Sequence, residues 1–560
     1  MKKPLLIVSF INIFYLYSMP DMRKTLLFLL LSVSISASAQ SVNFTSSNLP
    51  IVVINTHGQT IPDDPKIDAD MGIINNPNGA RNNVTDPFNE YNGRIGIEVR
   101  GQSSQMFPMK SYSVELRDNN DDDMDEPLFG LPAQSDWVMY APYTDKTLMR
   151  NFLAYTMSNS LGHWAAHCRY VEVILNGQYV GIYVFMEKIK RDKGRVNISK
   201  MKSSDNDGDA VTGGYIFSID KQANVWYSTF PPPNSPGASI QYSYVYPKPE
   251  DITAQQSAYI KSYVDGFENS LTAANFQDTV NGFRKYADEN SFIDYFIVNE
   301  ISRNVDGYRL SSFFNKDRNS INPKIKAGPV WDYDLAFRNA NYCDGSDTSG
   351  WAYRFDYVCG GDGYQIPFWW DRFMQDSLFK SDLYCRWKEV RATVLSDQNI
   401  NHWIDSIYTL VGEAQKRHFA QWPVLGTYVW PNPNPIPTSY AGEISTLKTW
   451  IANRLVWIDG HIDKVGKCAV VTPPANTGFE IHAWPNPMMN PLTISITSDK
   501  EQTAQITIIN GAGKRMLQTS ADLIQGINKK TINTGNWSRG MYILKVFLRD
   551  GTKKTITLEK

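Results

Sequence analysis

Val171 to Phe185 read VEVILNGQYVGIYVF, two runs rich in β-branched and aromatic residues on either side of Asn176-Gly177. Asn-Gly is favoured in two-residue hairpin turns because both positions need a positive φ. The pattern therefore predicts an antiparallel β-hairpin. Alternating apolar residues over 95–99 and 112–116, and an apolar run over 51–55, predict three further strands. The first half of the chain is thus predicted to be rich in β-structure.

The periodicity changes after Thr253, where apolar residues recur with helical spacing. Amphipathic helices are predicted over 254–271, 290–301, 371–395, 399–422 and 443–465. One helix, over 148–161, is predicted within the β-rich half and ends before Gly162. The fold class is therefore α+β, with a β-rich part and an α-rich part that meet at a cleft.

The composition of the chain indicates which kinds of partner the protein is unsuited to bind. The chain has 560 residues, enough for several domains, and its 55 basic and 57 acidic side chains nearly cancel. A nearly neutral protein is unsuited to wholesale electrostatic binding of nucleic acid, so no nucleic-acid partner is predicted.

The N-terminal region has the three parts of an export signal. Met22-Arg23-Lys24 precedes an apolar run from Leu26 to Ile35, and small residues follow at 37–39. We expect translation to start at Met22 and cleavage after Ala39, so that residues 1–39 form the signal-peptide region. The apolar run is too short to span a bilayer, and no longer one follows, so no transmembrane segment is predicted in the mature chain.

The C-terminal region differs in composition from the rest. Residues 469–479 are rich in Pro, Thr and Ala and are predicted to be a linker, and the short alternating runs over 480–560 predict a small all-β sandwich. Its Asn486-Pro487 opening, Gly513-Lys514 turn, Gly540-Met541-Tyr542 strand and basic end resemble the C-terminal sorting domain of the type IX secretion system of Bacteroidota. The resemblance implies the type IX secretion machinery as a partner. It also implies secretion to, or residence on, the outer-membrane surface of a Gram-negative bacterium. An adhesive or carbohydrate-binding sandwich is the alternative.

The chain has five cysteines, and none shows the close spacing of a zinc site. Cys343 and Cys359 flank a loop rich in Gly and Asp and are a candidate disulfide in an oxidising compartment, although the sequence leaves the pairing open. The odd count leaves at least one free thiol.

Two short segments carry candidate catalytic groups. Asn304-Val305-Asp306 follows an apolar helix, where loops present reactive side chains. In Trp331-Asp332-Tyr333-Asp334, an extended backbone would point both carboxylates to one side, an arrangement that a cation between them would stabilise. Mg²⁺ that also bridges phosphates, as in phosphoryl transfer, is the simplest such cation. Alternatively, the two carboxylates cap turns or pair with arginines such as Arg338.

Seven ordered motifs resemble the CotH kinase family, relatives of the spore-coat kinases. They are Gly96–Ser104, Lys110-Ser111-Tyr112, Ser135–Val138, Met149-Arg150-Asn151, Val171–Val173 with Asn176–Gly181, Glu187-Lys188-Ile189 and Trp331–Asp334. The resemblance implies an atypical protein-kinase-like, two-lobed domain with a β-rich N-lobe over 48–250 and an α-rich C-lobe over 251–468. It also implies use of ATP with Mg²⁺, or Mn²⁺, to phosphorylate Ser or Thr of exported proteins.

The resemblance assigns roles to particular residues. Asp332 takes the metal-binding and catalytic role of the kinase D-F-G aspartate, Asp334 and Asn304 are further candidate metal ligands, and Asp306 is the candidate catalytic aspartate. The candidates for binding the nucleotide are Arg100, Ser103, Ser104, Lys110 and Glu187.

A function of another class remains open, a catalytically silent surface adhesin or glycan- or protein-binding module on the same fold. Its candidate contacts are Trp226, Trp351, Trp369, Trp370 and Trp430. Carboxylates of Asp306, Asp332 and Asp334 that converge beside Lys110 would favour the enzyme, and an open aromatic groove without them would favour binding.

Overall fold

The computed structural model describes residues 42–221, 225–463, 468, 480–484, 488, 490–498, 500–511, 513–549 and 551–560. The predicted signal peptide (1–39) and linker (469–479) lie outside these ranges. Within them, no helix has the length and apolar character needed to cross a membrane.

The first region is built on a closed β-barrel. Its strands are β1 (Ser46–Ser47), β2 (Ile51–Asn55), β3 (Ile67–Ile74), β4 (Asn82–Asn83), β5 (Tyr91–Arg100), β6 (Ser111–Arg117), β7 (Asp136–Tyr140), β8 (Cys168–Leu175) and β9 (Gln178–Glu187). Seven of them close in the order β2-β3-β5-β6-β7-β9-β8, and the parallel pair β2–β8 completes the ring. The predicted hairpin is confirmed as β8–β9, with positive φ at both Asn176 and Gly177.

Alternation along the strands fills the barrel. Ile95 and Ile97 on β5, Val114 and Leu116 on β6, and Trp137 on β7 are all 1 % exposed or less and belong to one apolar cluster. Alternate residues of a strand point to opposite faces, and one face packs inside the barrel. On β7 and β9 the other face is also apolar and buried, with Val138, Ile182, Val184 and Met186 in a second apolar cluster. The interior of the barrel is therefore filled by apolar side chains.

A second sheet draws on both sides of residue 250. Its strands are β10 (Tyr215–Ile219), β11 (Val225–Tyr227), β12 (Gln241–Tyr246), β13 (Ser312–Lys316) and β14 (Ile325–Ala327). They pair antiparallel in the order β11-β12-β10-β13-β14. Strands from the predicted α-rich lobe thus complete a sheet begun in the β-rich lobe.

The helices of the described residues follow the predicted order. They are α1 (Arg150–Ser160), α2 (Ala254–Thr272), α3 (Glu289–Ser302), α4 (Phe355–Val358), α5 (Trp369–Phe373), α6 (Ser377–Ala392), α7 (Asp397–Leu410), α8 (Ala414–Gln421) and α9 (Tyr440–His461). Two predicted runs were wrong in continuity, since 371–395 is divided into α5 and α6 and 399–422 into α7 and α8, and α4 was not predicted. The Asp376 side chain caps α6 by accepting from the Leu378 N–H. An N-cap marks the start of a new helix, and the spacing of apolar residues alone does not reveal that boundary.

Helix α3 is the buried axis of the helical part. Every residue from Ser291 to Ser302 on it is buried. Its Glu300 pairs with Arg454 of α9, N–O 3.0 Å, and both side chains are at most 1 % exposed. The end of α3 leads directly into Asn304 and Asp306, so a rigid helix positions the candidate catalytic turn.

The C-terminal region is all β, as predicted. Its strands are β15 (Glu480–Trp484), β16 (Leu492–Ser498), β17 (Gln502–Asn510), β18 (Arg515–Leu523), β19 (Gly526–Ile532), β20 (Met541–Leu548) and β21 (Lys553–Glu559). They form a three-stranded sheet, β15-β16-β19, and a four-stranded sheet, β18-β17-β20-β21, which share one apolar cluster. The α+β class is therefore confirmed, while the kinase-like two-lobed arrangement stays a prediction.

Two disulfides are present. Cys343 pairs with Cys359 at a Cα–Cα distance of 5.5 Å, which confirms the candidate pair. Cys385 of α6 pairs with Cys468 at 5.1 Å, a bond that sequence spacing did not indicate, and Cys168 is the free thiol.

Candidate functional site

A cavity of about 720 Å³ lies where the barrel rim meets the second sheet and the segment after α3. The predicted site residues that line it are Arg100, Ser103, Ser104, Asp306, Asp332 and Asp334. The three carboxylates and three of the predicted nucleotide-binding residues are thus brought together, although 234 residues separate the ends of this set.

The Asp332 segment is held by side chains of α1. The Asp332 N–H donates to the Tyr155 hydroxyl at 3.2 Å, and the Tyr333 N–H donates to Asn151 Oδ1 at 2.6 Å. The Tyr155 ring also stacks on Trp331, with centroids 6.0 Å apart. The segment is not an extended strand as expected, since Asp332 has a φ of 63°. Both carboxylates nevertheless face the cavity, because these contacts fix an irregular backbone.

The same segment is supported by the first residue of α1, Arg150. Arg150 donates through Nε to the carbonyls of Ala336 and Phe337, at 3.1 and 3.4 Å. Its Nη1 pairs with Asp145, and both side chains are buried. The Met149-Arg150-Asn151 motif therefore holds the backbone that carries the two aspartates, through the side chains of Arg150 and Asn151.

The carboxyl groups that line the cavity raise one another's pKa. Burial, together with the charge of Asp306, raises the pKa of Asp332 to about 6, and Arg100 opposes the shift. The Asp332 side chain is accessible from the cavity yet lies deep among protein atoms, which weakens its solvation. Burial and the charges of Asp332 and Asp145 raise the pKa of Asp334 well above its usual range. Bound cationic groups would relieve this repulsion.

Cationic side chains stand around the same cavity. The Arg100 guanidinium lies 5.5 Å from the centroid of Trp331, and its buried Nη1 has no hydrogen-bond partner within the described part of the chain. Lys188 and Lys190 flank Asp136, with Nζ–Oδ distances of 3.6 and 2.6 Å. Arg191, Lys221 and Lys248 also line the cavity. These groups can bind an anion such as a phosphate.

Lys110, Glu187 and Asn304 are placed differently from the other candidates, since none of them lines the cavity. Lys110 Nζ donates to the carbonyls of Gln105 and Phe107, at 2.5 and 2.6 Å. Glu187 is fully buried and accepts from both the backbone N and Nδ1 of His167, at 2.9 and 2.7 Å. These two side chains stabilise the barrel rim.

Asn304 is buried and turns inward. Its Oδ1 accepts from the Asp306 N–H at 3.2 Å and so shapes the turn that presents Asp306. Asp306 itself pairs with Arg309, Oδ1–Nη2 2.9 Å. Burial raises the pKa of Asp306, and Arg309 opposes the shift.

The sequence reasoning missed several lining residues. Asp136, Lys188, Lys190, Asp220 and Lys221 all face the cavity. Strand periodicity held a signal for Lys188, because Met186 and Lys188 line the cavity while Glu187 between them does not. For Asp220 and Lys221 the signal was their position directly after the apolar run of β10.

A metal ion held by protein groups alone is not indicated by the described residues, in which no three His, Cys, Asp or Glu side chains are grouped closely enough. Mg²⁺ commonly uses one or two carboxylates and takes its remaining ligands from waters and substrate phosphates. The pair Asp332 and Asp334 fits that mode of binding.

Comparison with known proteins gives two family matches. Residues 482–558 match a secretion system C-terminal sorting domain, which confirms the predicted sorting tail and supports secretion or cell-surface localisation through that machinery. No curated protein matches the chain. Residues 97–458, more than half of the chain, match the family described as CotH kinase protein, and the chain therefore belongs to that family.

Proposed function

We propose that the protein is a secreted phosphotransferase that moves the γ-phosphoryl group of ATP to Ser or Thr hydroxyls of exported proteins. Family membership and the sorting domain support this proposal. In it, residues 48–250 and 251–468 act as the two lobes of a kinase-like domain. The signal peptide (1–39), the linker (469–479) and the sorting domain (480–560) serve export through the type IX machinery of a Bacteroidota-type bacterium.

The donor set fits ATP with Mg²⁺ or Mn²⁺. Burial and the charge of Asp332 raise the pKa of Asp334, which means that a second negative charge is unfavourable there unless a cation lies beside it. The oxygens of both carboxylates are the ligand type that Mg²⁺ prefers, and we assign the metal to them. When bound, the ion would neutralise negative charge on the transferred phosphoryl group.

The cationic side of the cavity suits the phosphates. Arg100 offers a buried N–H group without a partner among the described residues. Burial lowers the pKa of Lys188 and Asp136 opposes the shift, and the side chain, 43 % exposed, lines the cavity where an anion can pair with it. Ser103 and Ser104 add hydroxyl donors in the loop after β5.

Asp306 is the proposed general base. In the transfer, the acceptor oxygen bonds to the γ-phosphorus, the bond from that phosphorus to the ADP oxygen breaks, and the hydroxyl proton passes to Asp306. Burial raises the pKa of Asp306, which favours its accepting a proton.

The observation that carries the proposal is the single cavity shared by Asp306, Asp332, Asp334 and Arg100. Isothermal titration of the full chain with ATP tests it, with and without Mg²⁺ or Mn²⁺. We expect metal-dependent binding that Asp332→Asn abolishes and that Asp405→Asn retains. Asp405 is the matched control because it pairs with Lys448 on an exposed face of α7. Absence of binding with either metal would refute the kinase mechanism.

A surface-binding module is the second candidate, and one observation favours it. Trp430 is 39 % exposed, lines the cavity and stacks on Tyr342 with an interplanar angle of 5°. Trp226, Trp369 and Trp370 are buried and do not offer such a surface. Capture on glycan and peptide arrays that persists in Asp332→Asn and is lost in Trp430→Ala would support this function instead.

A further inference from the structure

We propose that Arg309 is a positioning residue that couples Asp306 in the cavity to the loop closed by the Cys343–Cys359 disulfide. In this view the site is completed only after that disulfide has formed. The catalytic consequence rests on the proposed function of Asp306, whereas the coupling itself rests on contacts alone.

Arg309 holds the candidate catalytic turn from behind. Its Nη2 donates to Asp306 Oδ1 at 2.9 Å, and its Nε donates to the Val305 carbonyl at 2.7 Å. Arg309 is 3 % exposed, while the Asp306 side chain is 23 % exposed and lines the cavity. A buried guanidinium therefore fixes one oxygen of a carboxylate that faces the cavity.

The other side of the same guanidinium is held by Phe355, which lies inside the loop closed by the disulfide, and by the segment that follows Cys359. Nη1 donates to Asp362 Oδ1 at 3.2 Å and to the Tyr364 carbonyl at 3.0 Å. The Cζ atom of Arg309 lies 3.9 Å from the centroid of the Phe355 ring. A buried cation that loses these partners would keep only Asp306 and the Val305 carbonyl, which is costly and would free the pair to move.

The disulfide sets the position of that loop. Gln365 Nε2 donates to the carbonyls of Cys359 and Asp362, at 2.9 and 2.8 Å, so the turn that carries Asp362 starts at the half-cystine. At the other end, Tyr342 precedes Cys343 and stacks on Trp430, which lines the cavity. The residues that flank the disulfide on either side thus contact the site, Tyr342 through Trp430 and Asp362 through Arg309.

The chemistry of closure links the site to the compartment. The two thiols lose two electrons and two protons to a disulfide oxidant, which is itself reduced to a dithiol. Such bonds persist in oxidising compartments and are kept reduced in the cytoplasm. Asp306 would therefore be positioned after export and left loose before it.

Graded reduction of the full chain tests the coupling without any assay of activity. Dithiothreitol is added, free thiols are alkylated at intervals, and mass spectrometry follows each bond. We expect the Cys343–Cys359 bond to be reduced about five- to tenfold faster in Arg309→Met and in Asp306→Asn than in the unmodified chain. The Cys385–Cys468 bond is the internal control and should keep its rate.

Asp306→Asn is the deciding variant, because it changes neither shape nor backbone and its side chain is partly exposed. A reduction rate of the Cys343–Cys359 bond within twofold of the unmodified chain in that variant would overturn the proposal. Equal acceleration of both disulfides in Arg309→Met would mean that this variant has lost its fold, and Asp306→Asn would then stand alone.

Kinetics separates the coupling from the proposed function. In the Cys343→Ser, Cys359→Ser double variant, kcat for phosphoryl transfer should fall on the order of 100-fold while KM for ATP is retained, because misplaced catalytic groups lower kcat. Arg309→Lys should regain part of the kcat lost in Arg309→Met. An unmodified chain that transfers no phosphoryl group would refute the proposed function, and the reduction rates would still decide the coupling.

Discussion

The barrel and the cavity wall are stabilised in different ways. Within the described strands of the barrel, Gly181 of β9 is the one residue with a positive φ. Between residues 303 and 338, six residues other than glycine have a positive φ, namely Arg303, Tyr308, Ser311, Asp332, Phe337 and Arg338. Each such residue costs free energy that surrounding contacts must offset. The barrel is determined by apolar burial, whereas the cavity wall depends on individual polar contacts.

This contrast predicts two kinds of mutational response. Loss of an apolar side chain in the barrel removes burial and leaves a hole, and it should reduce the stability of the whole region. Loss of one hydrogen bond in the cavity wall should cost less stability and should impair binding more.

The largest expected effect is at Trp137 in the barrel. Its indole is fully buried, packs 5.4 Å from Phe185 between ring centroids, and donates to the Gln134 carbonyl at 2.9 Å. We expect Trp137→Ala to lower the free energy of unfolding by about 3–5 kcal/mol in urea titrations. Trp430→Ala, at a side chain 39 % exposed, is the control and should cost less than about 1 kcal/mol. A loss at Trp137 as small as at Trp430 would contradict the contrast.

The next effect concerns the contact of α8 with the barrel. His418 of α8 is fully buried, and its Nδ1 accepts from the Ile182 N–H at 3.1 Å. Burial lowers its pKa to about 3, against about 6.5 in an unfolded chain. Because the folded pKa is lower than the unfolded one, a neutral His418 contributes its full stability to the folded state above about pH 6.5. This contribution is lost as the pH falls toward 3.

His418→Gln tests this pH dependence, since its amide oxygen can accept the same hydrogen bond and does not titrate. Between pH 6.5 and 4.5 the unmodified chain should lose about 2–3 kcal/mol more stability than the variant, as measured by urea unfolding at each pH. Parallel curves for the two proteins over this range would show that His418 already titrates normally when folded.

The contrast also explains what sequence could predict. The β8–β9 hairpin, helix α3 and the sandwich strands follow from local periodicity and turn residues, and all were predicted. Barrel closure was not predicted, because the parallel β2–β8 pair joins residues 121 positions apart, and no local sequence pattern links segments so distant. Nor was the second sheet, whose strands lie on both sides of residue 250.

The candidate site was predictable in its residue types and less so in its orientations. Asp306, Asp332 and Asp334 were found from their motifs, and they share the cavity. Lys110 and Glu187 were chosen from their motifs too, but at the start of β6 and the end of β9 the backbone alternation turns them away from the cavity, and their neighbours Ser111 and Lys188 line it. A motif names a segment, and the strand register decides which of its side chains face the site.

Asn151 offers a smaller effect that tests the cavity wall directly. Its buried Oδ1 accepts from the Tyr333 N–H at 2.6 Å, next to Asp332. Asn151→Ala should lower stability by about 1–2 kcal/mol, because a buried N–H loses its partner. It should also weaken metal-dependent ATP binding about tenfold in calorimetric titration, because the Asp332 segment keeps its bond to Tyr155 but loses its bond to Asn151.

Asn159→Ala on the same helix is the matched control for Asn151. Asn159 also bonds to backbone, with its Nδ2 and Oδ1 reaching the carbonyl and N–H of Ala165 at 3.1 and 3.0 Å. We expect a similar loss of stability and unchanged ATP affinity. Equal losses of affinity in the two variants would mean that α1 acts through general stability alone.

The smallest expected effect separates two lysines on the barrel rim. Lys188 lines the cavity beside Asp136, whereas Lys110 donates to the carbonyls of Gln105 and Phe107. Lys188→Met should weaken ATP binding about five- to tenfold, the loss of roughly 1 kcal/mol of charge-assisted contact, with little change in melting temperature. Lys110→Met should lower the melting temperature, because it leaves two carbonyls without their donor. It should change ATP affinity little, because the cations that line the cavity stay in place. If Lys110→Met reduced ATP affinity more than Lys188→Met does, the assignment of roles from strand register would be wrong, and the lysine indicated by the family motif would be the one that binds the nucleotide.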